Sequence, residues 1–567
     1  MSDRLDLVFL WHMHQPDYRD HTSGEFILPW VYLHALKDYT DMAAHFERHP
    51  QIRAVVNFVP VLAEQIEDYV AQFDANTFRD PLLRMLAASD LEHLGAEERV
   101  SLAQACFRSN HQTMLTPFAP YKRLHEVYRS LAADAETSGE AGTPDLAYLS
   151  GSYFSDLVVW YHLAWTGETE RRRWPLLTDL MKKGMGFTLD DRQALLALLG
   201  TILRNLLPRY RALADSGQIE LCCTPQTHPL SPLLLDFASA RESVPDARLP
   251  QSPGYPGGAE RVDAHIRAAQ ASHEMRFGSA PAGMWPAEGA VSQAFIERMA
   301  ALGCGWAASG EAVLRASLAR SGIEDATPAY RPWQPAGAPG LTMFFRDDRL
   351  SDLIGFEYSK WHGETAARHL VGELEGIQAR APAGETPVAC IILDGENAWE
   401  HYPYNGYYFF EELYSRLHPH ERIRGTTLRD LLREGVPSAR ALPKLSAGSW
   451  VYGTMSTWIG DPDKNRAWDL LCAAKTAYDS ALPGLSQSER DAAQTQLAVC
   501  ESSDWFWWFG DYNPSAAVAS FDRLYRRNLS NLYELLKLPP PPELELPISS
   551  GNRHATHDGT MRRAQET

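Results

Sequence analysis

The start of the chain places two short apolar runs on either side of an amphipathic stretch. Residues 5–12, LDLVFLWH, form a continuous apolar run of strand length that stops before Pro16. Residues 53–59, RAVVNFV, have the same character, and residues 32–48 between them carry apolar positions at helical spacing. A buried strand, a helix and a second buried strand predict a parallel βαβ unit.

A helical pattern replaces this alternation from about residue 62 to residue 216. Its longest segments are joined by polar loops and lie at residues 81–88, 96–109, 148–166 and 190–215. Strand-like runs then return at residues 219–223, 304–308, 342–346 and 388–393, with segments of helix length at residues 259–272 and 291–302. Strands that alternate with helices favour a barrel-like α/β domain, which here carries a helical insertion.

Strand signals fade after about residue 438, and the remaining periodic segments, at residues 466–480, 486–502 and 514–538, are helical. Four prolines at residues 539–542 end the last of them, and the polar residues 549–567 have the composition of a disordered tail. The sequence therefore predicts a catalytic barrel at residues 1–437 with its insertion at about 62–216. It also predicts a C-terminal helical domain at residues 438–548, which contributes to the cleft, and a disordered tail at residues 549–567.

The charge of the chain excludes some classes of binding partner. The formal net charge of -19 and the isoelectric point near 5.5 argue against nucleic acid or an anionic membrane. No apolar run reaches the ~18 residues of a membrane span, and the N-terminus does not read as a signal peptide, so we expect a cytoplasmic protein without a membrane partner. The 16 Trp, 23 Tyr and 21 Phe suit a core, but they also suit stacking on sugar rings.

Two carboxylates stand out because each follows an apolar stretch. In GMWPAEGAVS, Glu288 lies among small and apolar residues, and Pro286 and Gly289 predict a turn or strand end there. In IILDGENAWE, Asp394 ends an apolar strand; taken alone it would be a helix N-cap. Barrel active sites gather at the C-terminal ends of strands, so two such acids predict the carboxylate pair of glycoside cleavage.

The segment HMHQP follows the first strand. Alternate residues of a strand share a face, so His12 and His14 lie side by side. This spacing fits a metal site, two hydrogen-bonding imidazoles, or, together with Gln15, the binding of sugar hydroxyls. No further His/Asp cluster of clear ligand spacing follows, and the seven cysteines contain no CxxC pair, so we expect no metal, zinc ribbon or other cofactor.

Other polar residues lie inside or after later strands. Glu220 of GQIE lies within a strand and is either a substrate ligand or half of a structural ion pair, and His228 after that strand is a candidate to line the cleft. In FRDDRLSDLIGF, Arg346 and Asp352 either bind substrate and hold the acids or form loop ion pairs. Trp285 and Trp399, close in sequence to the two acids, are further candidates for substrate binding.

The run SSDWFWWFGD, residues 502–511, contains more consecutive large rings than one helix face can bury. We therefore expect Trp505, Trp507 or Trp508 to reach the barrel mouth and stack on sugars. Asp504 precedes these rings and is a candidate polar contact in the same place.

These motifs occur in the order seen in glycoside hydrolase family 57, which the sequence resembles from residue 12 to residue 511. The resemblance implies an incomplete (β/α)7 barrel with a C-terminal helical domain and a retaining mechanism on α-glucans. It implies Glu288 as the nucleophile and Asp394 as the proton donor. The other residues that match the family by position are His14, Gln15, Glu220, Asp504 and Trp505.

The subgroup is indicated by longer stretches. FRDDRLSDLIGF, STWIGDPDKNRAW and SSDWFWWFGD resemble the amylopullulanase and α-amylase-like branch more than the branching enzymes or 4-α-glucanotransferases. The block PAEGA departs from the family, in which Cys often follows the nucleophile. The expected activity is retaining hydrolysis of α-1,4 glucans such as starch, glycogen or maltodextrin, with α-1,6 linkages as a further option.

Three alternatives stay open at this stage. A 4-α-glucanotransferase or branching enzyme would use the same covalent intermediate with a sugar hydroxyl in place of water. A metal-dependent deacetylase or mannosidase would use the HxH pair. A glycan-binding protein without turnover is the third, and the two acids at the matched positions argue against it.

Overall fold

The computed structural model describes residues 4–137, 146–436, 439–552 and 560–563, except for the side chains of residues 133–137. All six strands predicted from apolar runs are present within two residues of the expected positions. Three further short strands, Trp333–Pro335, Ile423–Gly425 and Arg440–Leu442, carry no strong sequence signal. The strands in the described part are β1 (Leu5–Met13), β2 (Ala54–Phe58), β3 (Ile219–Cys222), β4 (Trp306–Gly310), β5 (Trp333–Pro335), β6 (Thr342–Arg346), β7 (Val388–Asp394), β8 (Ile423–Gly425) and β9 (Arg440–Leu442).

Six parallel strands and one extra segment close into a barrel. The parallel order is β3-β2-β1-β7-β6-β4. Met284 closes the ring because it bridges Cys223 after β3 and donates its backbone N–H to Trp306 O of β4 over 3.1 Å. The barrel is incomplete between β6 and β7, which pair only at Arg346 and Cys390. This is the incomplete (β/α)7 barrel implied by the family resemblance.

The barrel interior explains how the strands position polar groups. Apolar side chains from β1, β2, β3, β4, β6 and β7 fill the interior, and Leu428 and Leu431 join them from the helix Leu428–Arg433. Side chains that are two residues apart on a strand point to the same face. The interior residues Leu10, Phe344 and Ile392 are therefore followed, at the C-terminal ends of their strands, by His12, Arg346 and Asp394.

Helices surround the barrel. The predicted helix at residues 32–48 is one continuous run, Trp30–His34, Ala35–Tyr39 and Thr40–Arg48, with a π-helical turn in the middle. The insertion between β2 and β3 is helical, as predicted, with helices Pro60–Ala75, Pro81–Ala87, Ala96–Cys106, Ala119–Thr137, Gly151–Ala164, Glu168–Arg173, Pro175–Lys183 and Leu189–Asp215. The longer helices that follow are Gly258–Phe277, Gln293–Ala301, Glu311–Ser321, Gly363–Arg380 and Tyr407–Leu417.

The C-terminal part is helical but begins later than expected. β9 falls inside residues 438–548 and pairs with β5, so the sheet extends beyond residue 437. The helices that follow are Pro462–Ala481, Gln487–Cys500, Asp504–Trp508 and Ser515–Leu535. They attach to the barrel where Ser503 N donates to His228 O over 2.9 Å. In the described residues, every helix is too short or too polar to serve as a membrane span.

The prediction of a disordered tail over residues 549–567 is wrong for two segments. Ser549 Oγ accepts a hydrogen bond from Gly510 N over 3.0 Å, and Asn552 N donates to Asn513 O over 2.8 Å. Residues 560–562 lie against the large cavity of the molecule. Polar composition predicts exposure, but it does not reveal partners that lie far away in the sequence. Residues 553–559 and 564–567 fall outside the described residues.

Candidate active site

A cavity of about 650 Å³ opens at the C-terminal ends of β1, β6 and β7, where barrel active sites are found. The helical insertion contributes residues 107–111 to its wall, and the C-terminal helical domain contributes Trp507 and Trp508. The cavity brings together seven of the residues predicted from the sequence. These are His12, His14, Gln15, Glu288, Arg346, Asp394 and Asp504.

Glu288 reaches the cavity through an unusual backbone conformation. Its φ of 57° and ψ of 23° are left-handed, which costs a residue with a side chain roughly 1–2 kcal/mol. Gly289 N donates to Pro286 O over 2.8 Å, and Glu288 O accepts from Trp450 N over 3.1 Å. Such strain persists where surrounding contacts hold the chain in place, and it is concentrated at functional sites. The turn predicted from Pro286 and Gly289 is the element that presents this carboxyl.

Trp450 was not identified from the sequence because it lies in no recognised motif. Its Nε1 donates to Oε2 of Glu288 over 3.0 Å. Its ring packs against Trp285, with centroids 5.1 Å apart, and Trp285 itself is fully buried. Trp285, predicted to bind substrate, therefore supports Trp450 from behind and does not line the cavity.

Asp394 is the last residue of β7 and lies in register with His12 of β1. Its Oδ2 accepts a hydrogen bond from Asn397 Nδ2 over 2.9 Å. The next residue, Gly395, donates its N–H to His12 O over 2.7 Å, and a Cβ there would lie 2.0 Å from Met13 Sδ. Glycine is thus required for β7 to turn away at this point. Asp394 does not cap a helix, so the N-cap interpretation is wrong.

Burial controls the protonation of the acids. It raises the pKa of both Glu288 and Asp394, and the Asp394 charge helps raise the pKa of Glu288 to about 8. The hydrogen bond from Trp450 opposes this increase. Glu396, a third buried carboxyl on the cavity wall, also has a raised pKa because of its burial. The site can therefore hold one protonated acid beside one carboxylate near neutral pH, as acid-assisted displacement requires.

Two imidazoles form a neutral hydrogen-bonded chain beneath the acids. His12 Nδ1 lies 2.7 Å from Asn57 Oδ1, and His12 Nε2 lies 3.2 Å from His228 Nε2. His228 Nδ1 lies 2.9 Å from Ser503 Oγ. Burial lowers the pKa of His12 to about 3 and holds the pKa of His228 well below its usual value. All partners are satisfied if Ser503 donates to His228, His228 to His12, and His12 to Asn57.

His14 links the barrel to the helical domain. Its Nε2 donates to Asp504 Oδ1 over 2.8 Å, and Asp504 Oδ2 accepts from Ser502 Oγ over 2.6 Å. His14, His228 and Asp504 each offer a possible metal ligand within 4.8 Å of the others. However, the rings of His14 and His228 stack at 3.8 Å and 16°. Imidazole lone pairs lie in the ring plane, so stacked rings direct them side by side, and the hydrogen-bonding interpretation fits this arrangement better.

Three polar residues predicted to bind substrate have structural partners instead. Glu220 lies in the barrel interior, where it accepts from Trp306 Nε1 over 2.8 Å and from Arg429 N over 2.7 Å. Arg346 does line the cavity, but its Nε donates to Ile392 O over 2.8 Å and closes the gap between β6 and β7. Asp352 accepts from Arg346 Nη2 over 2.9 Å. The loop ion pairs considered in the sequence analysis describe Arg346 and Asp352 better.

Of the tryptophans predicted to bind substrate, some are buried in the core and others line the cavity. Trp399 is buried, donates to Gly395 O over 2.9 Å and packs against other rings, so it does not line the cavity. Trp505 is also buried, donates to Val499 O over 2.9 Å and stacks on Tyr525. Trp507 and Trp508 from the same run do line the cavity. On a helix of five residues, the sequence alone does not show which rings face inward.

Further rings on the cavity wall come from segments that carried no functional signal. Trp30 and His34 precede the insertion, Trp165 belongs to it, and the Trp30 and Trp165 rings lie 5.7 Å apart. His34 Nδ1 donates to Asp38 Oδ2 over 2.7 Å, which fixes the ring orientation. In the sequence, each of these residues has the spacing of an ordinary core position, so no local pattern distinguishes them.

Solved structures with the same fold are known at low sequence identity. A family 57 branching enzyme from Thermococcus kodakaraensis aligns over 94% of this chain and 90% of its own, with 17% identity and a TM-score of 0.57. The α-amylase AmyC from Thermotoga maritima aligns over 94% of each chain, with 14% identity and a TM-score of 0.54. A 4-α-glucanotransferase from Thermococcus litoralis aligns over 94% of this chain and 60% of its own, with 13% identity and a TM-score of 0.52.

The sequence comparison agrees with the fold. No curated protein matches the sequence. A family model described as glycosyl hydrolase family 57 matches residues 8–443, which include most of β1, both candidate catalytic acids and all of the helical insertion. The chain belongs to glycosyl hydrolase family 57.

Proposed function

We propose that the protein is a retaining glycoside hydrolase of α-1,4 glucans in which Glu288 is the nucleophile and Asp394 the proton donor. One observation carries the proposal: the two carboxyls lie in one buried cavity and interact electrostatically, so the pair can hold one proton between them near neutral pH. Paired carboxylates with separate roles are the chemical requirement for glycoside cleavage. A neutral polysaccharide is also compatible with the strongly acidic composition.

The reaction follows from the roles of the two acids. In the reacting state the proton of the pair lies on Asp394 and Glu288 is the carboxylate. Asp394 gives this proton to the glycosidic oxygen while Glu288 attacks C1, so the C1–O bond breaks and a glycosyl ester forms. Asp394 then removes a proton from water, whose oxygen attacks C1 and releases Glu288 as a carboxylate. Because Trp450 binds Oε2, Oε1 of Glu288 is the oxygen available for attack. Two inversions retain the α configuration.

Substrate binding is assigned to the remaining cavity wall. We assign hydroxyl recognition to His14, Gln15 and Asp504, which line the same cavity as the acids. His12 also lines it, but both of its ring nitrogens already bind Asn57 and His228, so we assign it the role of supporting this wall. Trp508 offers a ring for stacking on the apolar face of a sugar. Starch, glycogen and maltodextrin are the proposed substrates, and cleavage of α-1,6 linkages, as in an amylopullulanase, is a further proposal.

Transglycosylation is a second candidate, and one feature supports it. Aromatic rings line the cavity in two groups, Trp30 beside Trp165 in one and Trp507 with Trp508 in the other. A cavity with several ring platforms can hold an acceptor sugar as well as the donor chain. The acceptor hydroxyl would then replace water in the second step, as in a branching enzyme or a 4-α-glucanotransferase.

The test is incubation of the purified protein with maltoheptaose, amylose and pullulan, followed by product chromatography. Hydrolysis yields only products shorter than maltoheptaose, with the α-anomer released first in proton NMR. Products longer than maltoheptaose establish transfer, and release of maltotriose from pullulan, whose maltotriose units are joined by α-1,6 bonds, establishes α-1,6 activity. Release of the β-anomer first, or no product from any glucan, would contradict the retaining α-glucan mechanism.

A further inference from the structure

Three residues near the C-terminus, Thr560, Met561 and Arg562, line the same cavity as the acids. The Arg562 guanidinium lies 4.6 Å from the Trp507 ring centroid and 4.2 Å from that of Tyr512. Its Nη1 also donates to Thr457 Oγ1 over 3.5 Å. Arg562 is therefore attached to the wall of the cavity that belongs to the C-terminal helical domain.

The next residue contacts the other wall. The Arg563 guanidinium lies 5.1 Å from the Phe356 ring centroid, and its Nη2 donates to Glu357 Oε1. Phe356 follows β6 and lines the cavity. Residues 560–563, which we call the cleft strap, thus connect the helical domain to the barrel loop after β6. Two consecutive arginines therefore contact two different walls of the cleft.

The strap also lies close to the candidate nucleophile. The positive charge of Arg562 lowers the pKa of Glu288, opposing the effect of burial, so the guanidinium is close enough to influence the candidate nucleophile. At the same time it covers a face of Trp507, a ring that lines the cavity. A guanidinium and a sugar ring compete for the same aromatic surface. A glucan chain therefore cannot stack on this face of Trp507 while Arg562 lies on it.

The ion pair that holds the strap to the barrel is partly exposed. The Arg563 and Glu357 side chains are 39% and 33% exposed, and partly exposed ion pairs contribute little to global stability. Removal of the strap should therefore leave the barrel and the helical domain folded. This makes the strap open to a direct experimental test.

We propose that the cleft strap closes one side of the active-site cleft and limits the length of glucan chain that can lie across the acids. The inference rests on the proposed α-glucan activity. With the strap in place, short malto-oligosaccharides are the preferred substrates. Without it, Trp507 is uncovered and longer chains, including the interior of a polymer, can cross the cleft.

The test compares three full-length proteins and one truncation: wild type, R562A/R563A, the control R368A, and the chain ended after Asn552. Arg368 is an exposed residue on the helix Gly363–Arg380 and lies outside the cavity. For each protein, kcat/KM is measured on maltotetraose and on glycogen. Thermal melting curves confirm that each variant remains folded.

We expect the ratio of kcat/KM for glycogen to that for maltotetraose to rise about tenfold in the truncation, the size of effect that uncovering one stacking ring can produce. R562A/R563A should show the same direction, and R368A no change. An active wild type whose ratio is unchanged by both strap variants would overturn the strap proposal alone. A wild type inactive on every glucan would instead overturn the proposed function, and the strap's role with it.

Discussion

The indole of Trp450 is bonded to the carboxyl of Glu288: Nε1 donates to Oε2 over 3.0 Å, and the Trp450 backbone N–H donates to Glu288 O over 3.1 Å. The loop after β9 therefore holds both the strained backbone and the carboxyl of the candidate nucleophile. Among the described contacts of Glu288, this indole is the side-chain donor that stabilises its charged form.

Replacement of Trp450 by Phe should raise the pKa of Glu288, because it removes a hydrogen bond that stabilises the carboxylate form. Hydrogen bonds to charged groups contribute about 1.5–3 kcal/mol, so kcat should fall by roughly 10- to 100-fold. The pH at which Glu288 ionises, followed in the pH profile of kcat/KM, should move upward. The control is Trp468→Phe, which removes an indole bond to Trp458 O in the helical domain. An unchanged profile in W450F would show that the bond does not tune Glu288.

The two acids should be separable by their substrates. Glu288→Gln removes the nucleophile, so natural glucans and an activated aryl glucoside should both fail. Asp394→Asn removes the proton donor, which contributes about 10²–10⁴-fold on maltodextrins. The aryloxide of an activated glucoside leaves without that proton, so D394N should release a burst of the aryl alcohol. The glycosyl group should then remain on Glu288 and be seen by mass spectrometry on the peptide that contains this residue. Equal losses on both substrates without an adduct would exclude Asp394 as the acid, and Glu396 would be tested next.

Glu288 should make stability depend on pH. Its folded pKa of about 8 lies above the ordinary value of 4.5. The folded state therefore retains a proton that the unfolded chain loses, and this contribution is present below pH 4.5 and disappears as the pH rises to 8. Glu288→Gln carries no such dependence, so E288Q should gain stability over wild type from pH 5 to pH 8, with an upper limit of ~5 kcal/mol.

Denaturant unfolding of E288Q and wild type at pH 5 and pH 8 measures this gain. Glu324→Gln, at an exposed position, serves as the control and should show no difference between the two pH values. An E288Q gain that is the same at both pH values would mean that Glu288 ionises normally in the folded protein.

The aromatic run should divide into binding and structural residues. Trp508 lines the cavity, so Trp508→Ala should raise KM for malto-oligosaccharides by about fivefold with a small change in kcat, as loss of ~1 kcal/mol of stacking implies. Trp505 is buried against Tyr525, so Trp505→Phe should lower the melting temperature and leave KM unchanged. Steady-state kinetics and thermal melts distinguish the two. A KM effect confined to W505F would reverse the assignment.

Activity should survive chelation, because two carboxylates can supply both the acid and the nucleophile. We expect no loss of glucan cleavage after dialysis against EDTA and no gain on addition of zinc. Metal analysis of the purified protein accompanies the assay. If EDTA abolishes activity and zinc restores it, then His14, His228 and Asp504 hold a metal ion and the mechanism must be rewritten around it.

The strands that build the barrel could be predicted because their signal is local. A buried parallel strand is an apolar run of five to nine residues, as in β1, β6 and β7, and its period of two residues assigns the last polar side chain to the interior face. His12 and Asp394 lie at the cavity, as this period predicts. The turn at Glu288 was predictable for the same reason, since Pro286 and Gly289 flank it directly.

Roles that depend on contacts between distant segments could not be predicted. Glu220 resembles a site residue by motif, yet Trp306 and Arg429 hold it inside the barrel. Trp505 and Trp508 are three residues apart, and only the packing of the helical domain separates the buried ring from the one on the cavity wall. The strap residues read as a polar tail because their partners lie far from them in the chain.

The barrel strands, the helical insertion and the two strand-end acids could be predicted from the amino-acid sequence, because each is encoded in residues close together along the chain. The contacts that complete the site depend on tertiary packing: Trp450 on Glu288, His228 beside His12, and Arg562 across Trp507. Burial, hydrogen bonding and charge act over a few ångströms in space, and folding brings within that range groups separated by tens to hundreds of residues.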